Sequence, residues 1–210
     1  MTESPSPAPS LSRWWALIPS VLLPLLAIGY LGQDVNWDLQ NYHLYDPYAW
    51  LHGRLTLDIA PAQMQTWHNP ALDVPFYLMV SAGWHGALIA LWLALPMMLA
   101  LYFLLRMYPL IGADQATRSG SLALALMAAT GAAAFPAMGS TFNDGYVAAG
   151  VLGGLYLLLR DDSAGMRWQI WLLAGMVGGA TAGLKLTAAV YCVGLAGAVA
   201  GTLVWRQLPR

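Results

Sequence analysis

The chain has 210 residues, of which 59% are hydrophobic and 9% charged, and its formal net charge is -1. Its mean hydropathy of +0.56 is typical of a protein whose solvent is largely lipid, so we predict an integral membrane protein. No basic stretch longer than a single residue exists to bind a phosphate backbone, which argues against nucleic-acid binding. A single cysteine, Cys192, excludes a disulfide framework or a cysteine-based metal site within the chain.

The composition of the N-terminal part indicates a tail followed by a first membrane span. Residues 1–13 are rich in serine and proline and are predicted to be a disordered cytoplasmic tail. The apolar run from Trp14 to about Gly32 is long enough to cross a hydrocarbon core of roughly 30 Å. A cleaved signal peptide is the alternative. The run is longer than a usual signal core and lacks a small-x-small cleavage site before Gln33, which favours a retained span.

Five further spans are predicted from apolar length. Three of them run from His85 to Leu105, from Ser119 to about Pro136, and from Tyr146 to Leu159. The stretch from Trp168 to Trp205 is nearly twice as long as a membrane is thick and must fold back near its middle, AGLKLT, at Lys185. The expected fold is all-α: a polytopic module over residues 14–205 with about six spans, a long outer loop over 33–84 with short interfacial helices, and a cytoplasmic end at 206–210.

Glycines recur every four residues in the last two predicted spans. They are Gly175, Gly179 and Gly183 in span five, and Gly197 and Gly201 in span six. This spacing lets neighbouring helix backbones approach closely. We assign these glycines to helix packing, with no chemical role.

Basic residues indicate the orientation of the spans. Lysine and arginine accumulate in cytoplasmic loops. With the N-terminus inside, seven of the nine basic residues fall on the cytoplasmic side, and only Arg54 and Lys185 lie outside. The histidines and most aspartates then lie on the outer face. We therefore predict that the N-terminus is cytoplasmic and that the polar chemistry lies on the outer face of the membrane.

The outer loop over 33–84 concentrates aromatic and polar side chains. Rings of tryptophan and tyrosine in such a loop belong at the headgroup level of a membrane. Asp46, followed by proline, is typical of a helix N-cap, and Gly53 ends that segment, so DPYAWLHG predicts a short helix. Asn69, again followed by proline, repeats the pattern. Capping is thus the favoured interpretation of Asp46, while for Asp73 a turn and a functional role remain equally open.

Asp38 is a candidate general base. A helical turn would place Asp38, Asn41, Tyr42 and Tyr45 on one face, just beyond the membrane end of span one. A solvated loop acid is the plain alternative. A carboxylate held among rings at the membrane surface is, however, what a general base needs when the substrates are a polar alcohol and a lipid-linked group.

Two other polar positions lie on the same side. The turn STFNDGYVA, residues 140–148, presents Asn143 and Asp144, although Asn-Asp-Gly is also a common turn sequence with no further role. Lys185 could simply extend to the membrane surface. Its position on the side that lysine avoids favours a second interpretation, the binding of a lipid phosphate.

Taken together, these motifs resemble the GT-C class of membrane glycosyltransferases, which includes the protein O-mannosyltransferases and the lipid A aminoarabinose transferases. NWDLQNYHLYDPYAWLHGRL, with Tyr42 four residues after Asp38, is similar to the first-loop motif of that class. Asp144 between spans three and four, and AGLKLTAA after span five, match the same pattern. The resemblance covers most of the chain from Arg13 onward. It departs at Leu39, where many members have a second acid.

The resemblance implies transfer of a sugar from a polyprenyl-phosphate donor to an acceptor at the periplasmic face. It makes Asp38 the base that activates the acceptor and Asp144 a second acid that orients a substrate. A divalent metal held by these two acids is an open alternative. Lys185, with Arg54, would neutralise the donor phosphate. Further substrate contacts are implied for Tyr42, Asn143, His43, Gln65 and Asn69. An interfacial hydrogen bond is the other interpretation of the histidine.

Two other classes of function compete with this one. A transporter or channel subunit would carry ionisable residues at bilayer depth, and no acid lies inside any predicted span. A non-catalytic assembly subunit would tolerate loss of the candidate acids. Members of the resembling class generally have more spans and often a C-terminal domain outside the membrane. We therefore expect this chain to be the front part of a longer protein.

Overall fold

The structure is a computed structural model that describes residues 13–111, 116–160 and 167–207. It is 78% helix, with no strand in these ranges, so the all-α prediction is confirmed. The predicted tail over 1–13 lies outside the described residues apart from its last position, and the predicted end over 206–210 is described only to residue 207.

The described helices follow one another without long gaps except in the polar loop. They are α1 (Arg13–Leu31), α2 (Leu44–Leu51), α3 (Val74–Ser81), α4 (Gly86–Ile111), α5 (Arg118–Ala129), α6 (Ala134–Ala137), α7 (Asp144–Arg160), α8 (Trp168–Leu184) and α9 (Ala188–Gln207). A π-helical turn, Leu39–His43, and two 3-10 turns, Gln63–Trp67 and Pro70–Leu72, shape the loop between α1 and α4.

Two predictions about helix ends have opposite outcomes. The fold-back of the last apolar stretch is confirmed, because α8 ends at Leu184, Lys185 is its C-cap and α9 starts at Ala188. The third predicted span is not one continuous helix. Its first part is α5, with 12 residues, and a turn from Thr130 separates it from the four residues of α6. At 1.5 Å per residue α5 is only about 18 Å long.

Two helices have the length and composition of membrane spans. They are Trp14–Leu31, with a mean hydropathy of 1.8, and Gly86–Ile111, with a mean hydropathy of 2.4. A third apolar segment, Ala188–Gly201, is shorter. This finding is compatible with a membrane protein, whereas the six-span arrangement remains a prediction.

The core forms around α4. This helix packs against α1, α3, α5 and α7, while α7 packs in turn against α8, and α8 against α9. The largest buried cluster joins Ala27 of α1 to Met97, Ala100 and Leu101 of α4 and Ala129 of α5. Since three of these five side chains are single methyl groups, the helix axes can approach closely.

The helix bundle has a polar end and an arginine-rich end, and contacts between helix ends identify each of them. In the polar loop, the amide of Asn69 donates to the carbonyl of Gly183 near the end of α8, at 2.8 Å. At the opposite end of the helices, the Arg118 guanidinium lies 4.7 Å from the centre of the Trp15 ring. The loops that follow α1 and α8, and the loop that precedes α7, therefore meet at the polar end.

Close helix approach depends on glycines of α7. A Cβ atom at Gly150 would overlap the hydroxyl of Thr181 in α8, and one at Gly153 would lie 3.0 Å from the Phe103 ring in α4. The five glycines singled out in the sequence would meet no atom within 4 Å among the described residues: Gly175, Gly179, Gly183, Gly197 and Gly201. The close backbone approach predicted at these five positions is therefore not seen within this part of the chain, and Gly175 and Gly179 instead line a cavity between α7, α8 and α9.

Substituting Gly150 with alanine is expected to destabilise the protein by about 1–3 kcal/mol, because the added methyl group overpacks the contact between α7 and α8. Gly175→Ala is the matched control, since its methyl group would enter open space. Thermal unfolding in detergent, followed through the thiol of the single cysteine, measures both variants. Equal unfolding midpoints for the two variants would contradict the assignment.

Candidate active site at the polar end of the helices

Asp34 ties the segment after α1 to the turn before α7. Its Oδ2 accepts hydrogen bonds from the backbone nitrogen of Thr141 at 2.8 Å and from the Thr141 hydroxyl at 3.0 Å. Its Oδ1 accepts from the side-chain amide of Asn36 at 2.7 Å. The sequence carried no signal for this role, because the partner is 107 residues away and nothing local distinguishes the acid from other loop acids.

The phenol of Tyr42 is influenced by the charges of three acids. Burial raises the pKa of Tyr42 above its ordinary value, and Asp38 raises it further as a negative charge and hydrogen-bond acceptor. Asp73 and Asp144 also act on the pKa of this phenol through their charges. Asp38 is therefore near the Tyr42 phenol, as predicted, whereas Asp144 of α7 acts on it only through its charge.

Two residues predicted to share a helix face with this pair lie elsewhere. The amide of Asn41 donates back to the carbonyl of Trp37 at 2.8 Å, and the hydroxyl of Tyr45 donates to Asp58 at 2.5 Å. The physical reason is the π-helical turn Leu39–His43, whose wider turns break the i, i+3, i+4 spacing of an α-helix.

Lys185 and Asp144 form an ion pair between the end of α8 and the start of α7. The Nζ atom of Lys185 lies 2.5 Å from Oδ1 of Asp144, and it also donates to the carbonyl of Phe142 at 2.5 Å. The lysine side chain is 28% exposed and the aspartate side chain 64% exposed. An ammonium group has three N–H donors, so one remains for a ligand beyond these two contacts.

An apolar cavity of about 260 Å³ lies beside Lys185. It lies between α4, α7 and α8, and Leu99, Phe103, Val147 and Leu184 line it together with Lys185. A cavity with apolar walls and one cation at its edge suits a ligand with an anionic head and an apolar tail.

A buried polar cluster lies behind the ion pair and consists of His43, Asp46, Asp73 and Asn143, with exposed fractions of 3%, 1%, 5% and 8%. The amide of Asn143 donates to Oδ1 of Asp73 at 2.8 Å. Nδ1 of His43 lies 2.9 Å from Oδ2 of Asp73, close enough for an ion pair but not aligned for a hydrogen bond. Oδ1 of Asp46 has no hydrogen-bond partner among the described residues. Its burial, with the charge of Asp73, raises the pKa of Asp46 from 3.8 to about 7.

The predicted capping role of Asp46 is wrong. Helix α2 begins at Leu44, so Asp46 lies within its first turn and its carboxyl group belongs to the buried cluster. The proline that follows lies inside this helical segment, which continues directly from the π-helical turn Leu39–His43. The other local predictions are confirmed: Gly53 ends the segment with a φ of 66°, and Asn69 caps the next turn by accepting from the nitrogen of Ala71 at 3.0 Å.

The remaining predicted substrate-binding residues are dispersed. Arg54 forms its own ion pair with Asp58, at 2.6 Å, and does not join Lys185 through any described contact. Gln65 lies half-buried in a 3-10 turn, and its described backbone bond leads to a neighbouring loop residue. Asn69 lies closer to the ion pair, because its amide binds the carbonyl two residues before Lys185.

The described residues form no preassembled protein site for the divalent metal that the resemblance allowed. Among the described residues, no group of three or more histidine, cysteine, aspartate or glutamate side chains could hold a metal ion. Asp144 is occupied by an ammonium group, and Asp38 acts on a phenol. A cation held by protein oxygens alone needs a larger converging set, whereas Mg²⁺ can be held by one or two carboxylates together with substrate phosphates.

No protein-family model, no curated protein and no solved structure matches the chain. The resemblance to GT-C glycosyltransferases therefore depends on its three short motifs alone. What the fold adds is spatial: two of the motif acids and the motif lysine meet at one end of the bundle.

Proposed function

We propose that this protein is a membrane glycosyltransferase that moves a sugar from a polyprenyl-phosphate carrier to a hydroxyl acceptor. One observation carries the proposal: Lys185 at the end of α8 pairs with Asp144 at the start of α7, at the same end of the helices as Asp38 and Tyr42. The reaction needs a base for the acceptor and a cation for the departing phosphate, and this arrangement supplies both.

The proposed reaction is a displacement at the anomeric carbon of the donor sugar. Asp38 accepts the proton of the acceptor hydroxyl while the hydroxyl oxygen forms a bond to that carbon. The bond from the carbon to the phosphate oxygen breaks, and its electron pair leaves with the polyprenyl phosphate. Lys185 stabilises the negative charge on the phosphate oxygens with its remaining N–H donor. Asp144 keeps the ammonium group in place.

The donor lipid has a natural location next to this cation. The cavity between α4, α7 and α8 presents apolar side chains along the helices and ends at Lys185. A polyprenyl chain buries apolar surface there, while its phosphate lies at the ammonium group. Apolar burial is favourable by roughly 25 cal/mol per Å², so even a few isoprene units contribute substantially to binding.

We further propose six membrane spans with the N-terminus in the cytoplasm of a bacterial cell and the polar end in the periplasm. Only 22% of the apolar stretch of α1 is buried, and its exposed side chains include Leu22, Leu25 and Leu26. Large apolar side chains exposed in this way suit a helix that faces lipid. Its packing against α4 and α5 favours a retained span over a cleaved signal peptide. Arginines at the opposite end from the polar loop follow the positive-inside tendency.

A transporter receives less support from the same observations. The described charged groups lie in the polar loops or at helix ends. They are the ion pairs Arg54–Asp58 and Lys185–Asp144 and the buried polar cluster. Transport pathways place such groups near the bilayer midplane. Clustering at one end of the helices favours chemistry at a membrane surface.

The decisive test is transfer of labelled sugar from polyprenyl-phosphate hexoses and pentoses in membranes that contain the protein. Lys185→Met is expected to lower transfer by about a hundredfold, because it removes the cation that stabilises the leaving phosphate. Lys185→Arg, which keeps the charge, is the matched control and retains most of the activity. No transfer above that of membranes lacking the protein would overturn the proposal, and full activity of Lys185→Met would remove the role of the lysine.

A further inference from the structure

The turn before α7 is anchored residue by residue to three other segments. Thr141 binds Asp34 after α1, and the carbonyl of Phe142 accepts from Lys185. Asn143 donates to the buried acid before α3, and Asp144 returns to Lys185. Four consecutive residues thus bind alternately to the interior and to the lysine.

Asn143 has an unusual backbone conformation at the centre of this turn. Its φ is 62°, in the left-handed region that residues other than glycine rarely adopt. Asparagine tolerates this region better than most side chains, but a strained conformation persists only where surrounding contacts hold it. The side chain is 8% exposed, and its described bond is the one to Asp73.

Asp73 is built to hold this amide. It is 5% exposed, its Oδ1 accepts from Asn143 at 2.8 Å, and its Oδ2 faces the Nδ1 atom of His43 at 2.9 Å. A buried carboxylate requires such partners, because an unpaired one is costly to desolvate. Hydrogen bonds to an ionised acceptor are also about twice as strong as neutral ones.

We infer that Asp73 is a positioning residue: through its hydrogen bond to Asn143 it fixes the turn that presents Asp144 to Lys185. The carboxylate does not touch a substrate in this arrangement. It determines the backbone geometry from which the next residue reaches the lysine. The positioning role itself does not depend on the proposed function. Its expected consequence, tighter binding of the donor phosphate, rests on the proposed function.

The reactivity of Lys185 tests the inference without any transfer assay. It is the single lysine of the chain, so acetylation of a lysine side chain reports on it alone. An amine that is hydrogen-bonded to a carboxylate and a carbonyl is less available to the acetylating reagent than a free one. Labelling rates are measured by mass spectrometry of the folded protein in detergent, with Asp144→Asn as the reference for a lysine without its partner.

Asn143→Gly and Asp73→Ala each remove one side of the positioning bond. Glycine accepts the left-handed conformation, so Asn143→Gly keeps the fold even if Asp73→Ala does not. Both variants are expected to raise the labelling rate about two- to fivefold toward that of Asp144→Asn, in line with the loss of a partly exposed ion pair. Asp58→Ala, a loop acid paired with Arg54, is the matched control and keeps the wild-type rate.

The outcomes separate this inference from the proposed function. Wild-type labelling of Asn143→Gly and of folded Asp73→Ala would overturn the positioning role, as would an Asp144→Asn variant that labels no faster than the wild type. Where wild-type membranes transfer sugar, both positioning variants are expected to raise the KM for the donor several-fold with a smaller change in kcat. Absence of transfer would overturn the proposed function and leave the labelling result to decide the inference.

Discussion

Replacing Asp38 with asparagine is expected to lower kcat for sugar transfer by a factor of about 10² to 10⁴, the usual contribution of a general base. Asparagine keeps the size and hydrogen-bonding capacity of the side chain beside Tyr42 but cannot accept the proton of the acceptor. The KM for the donor should change little, because the phosphate is bound by Lys185. Steady-state transfer from the labelled donor measures both constants.

Asp58→Asn is the matched control for this substitution. Asp58 lies in the same loop and pairs with Arg54, away from the described contacts of the candidate base. Its variant should keep wild-type kcat and KM. A wild-type kcat for Asp38→Asn would remove the proposed base, and a large rise in donor KM with unchanged kcat would instead assign Asp38 to substrate binding.

The second large effect is a dependence of stability on pH that comes from Asp46. Its pKa is about 7 in the folded protein because of burial and the charge of Asp73, against an ordinary value of 3.8. Between these two values the unfolded chain has released the proton and the folded chain retains it. The free energy of unfolding therefore falls as pH rises from about 4 to 7, by a total on the order of 4 kcal/mol, and levels off above pH 7.

Asp46→Asn should remove this slope, since an amide does not titrate. His43 and Asp73, which share the buried cluster, remain in the variant, so the difference between the two stability curves isolates Asp46. Thermal unfolding of detergent-solubilised protein between pH 5 and 8 measures both curves. Asp58→Asn is the control: Arg54 lowers the pKa of Asp58, so its contribution is lost only at acid pH. Parallel curves for wild type and Asp46→Asn would show that Asp46 is ionised in the folded protein.

Local sequence signals predicted several elements well. Apolar length predicted helices at α1, α4, α7 and the α8–α9 pair, and the fold-back at Lys185 followed from comparing that length with membrane thickness. Gly53 lies at the end of its segment and Asn69 at the start of the next turn, as predicted. Such positions are predictable because backbone conformation and capping depend on neighbouring residues. The capping prediction for Asp46 failed because it used the same local signals. An aspartate followed by a proline is typical of an N-cap, and only the tertiary structure shows that this aspartate is buried.

The candidate site was predicted in part. Asp38, Tyr42, Asp144 and Lys185 were all identified from short motifs, and the fold brings them to one end of the helices. Arg54 was grouped with them only by the sign of its charge, and the structure pairs it with Asp58. Asp34 gave no signal and Asp73 only an ambiguous one, because their partners lie 107 and 70 residues away.

The sequence by itself determined that the chain is helical and very apolar, and where its last apolar stretch turns back. These properties follow from hydropathy and length, which are summed along the chain. Only the tertiary structure decided which loop acids are buried, which meet the lysine, and which helix faces pack. These features depend on how α4, α7 and α8 pack against one another, because helix packing brings together residues that are far apart in the chain.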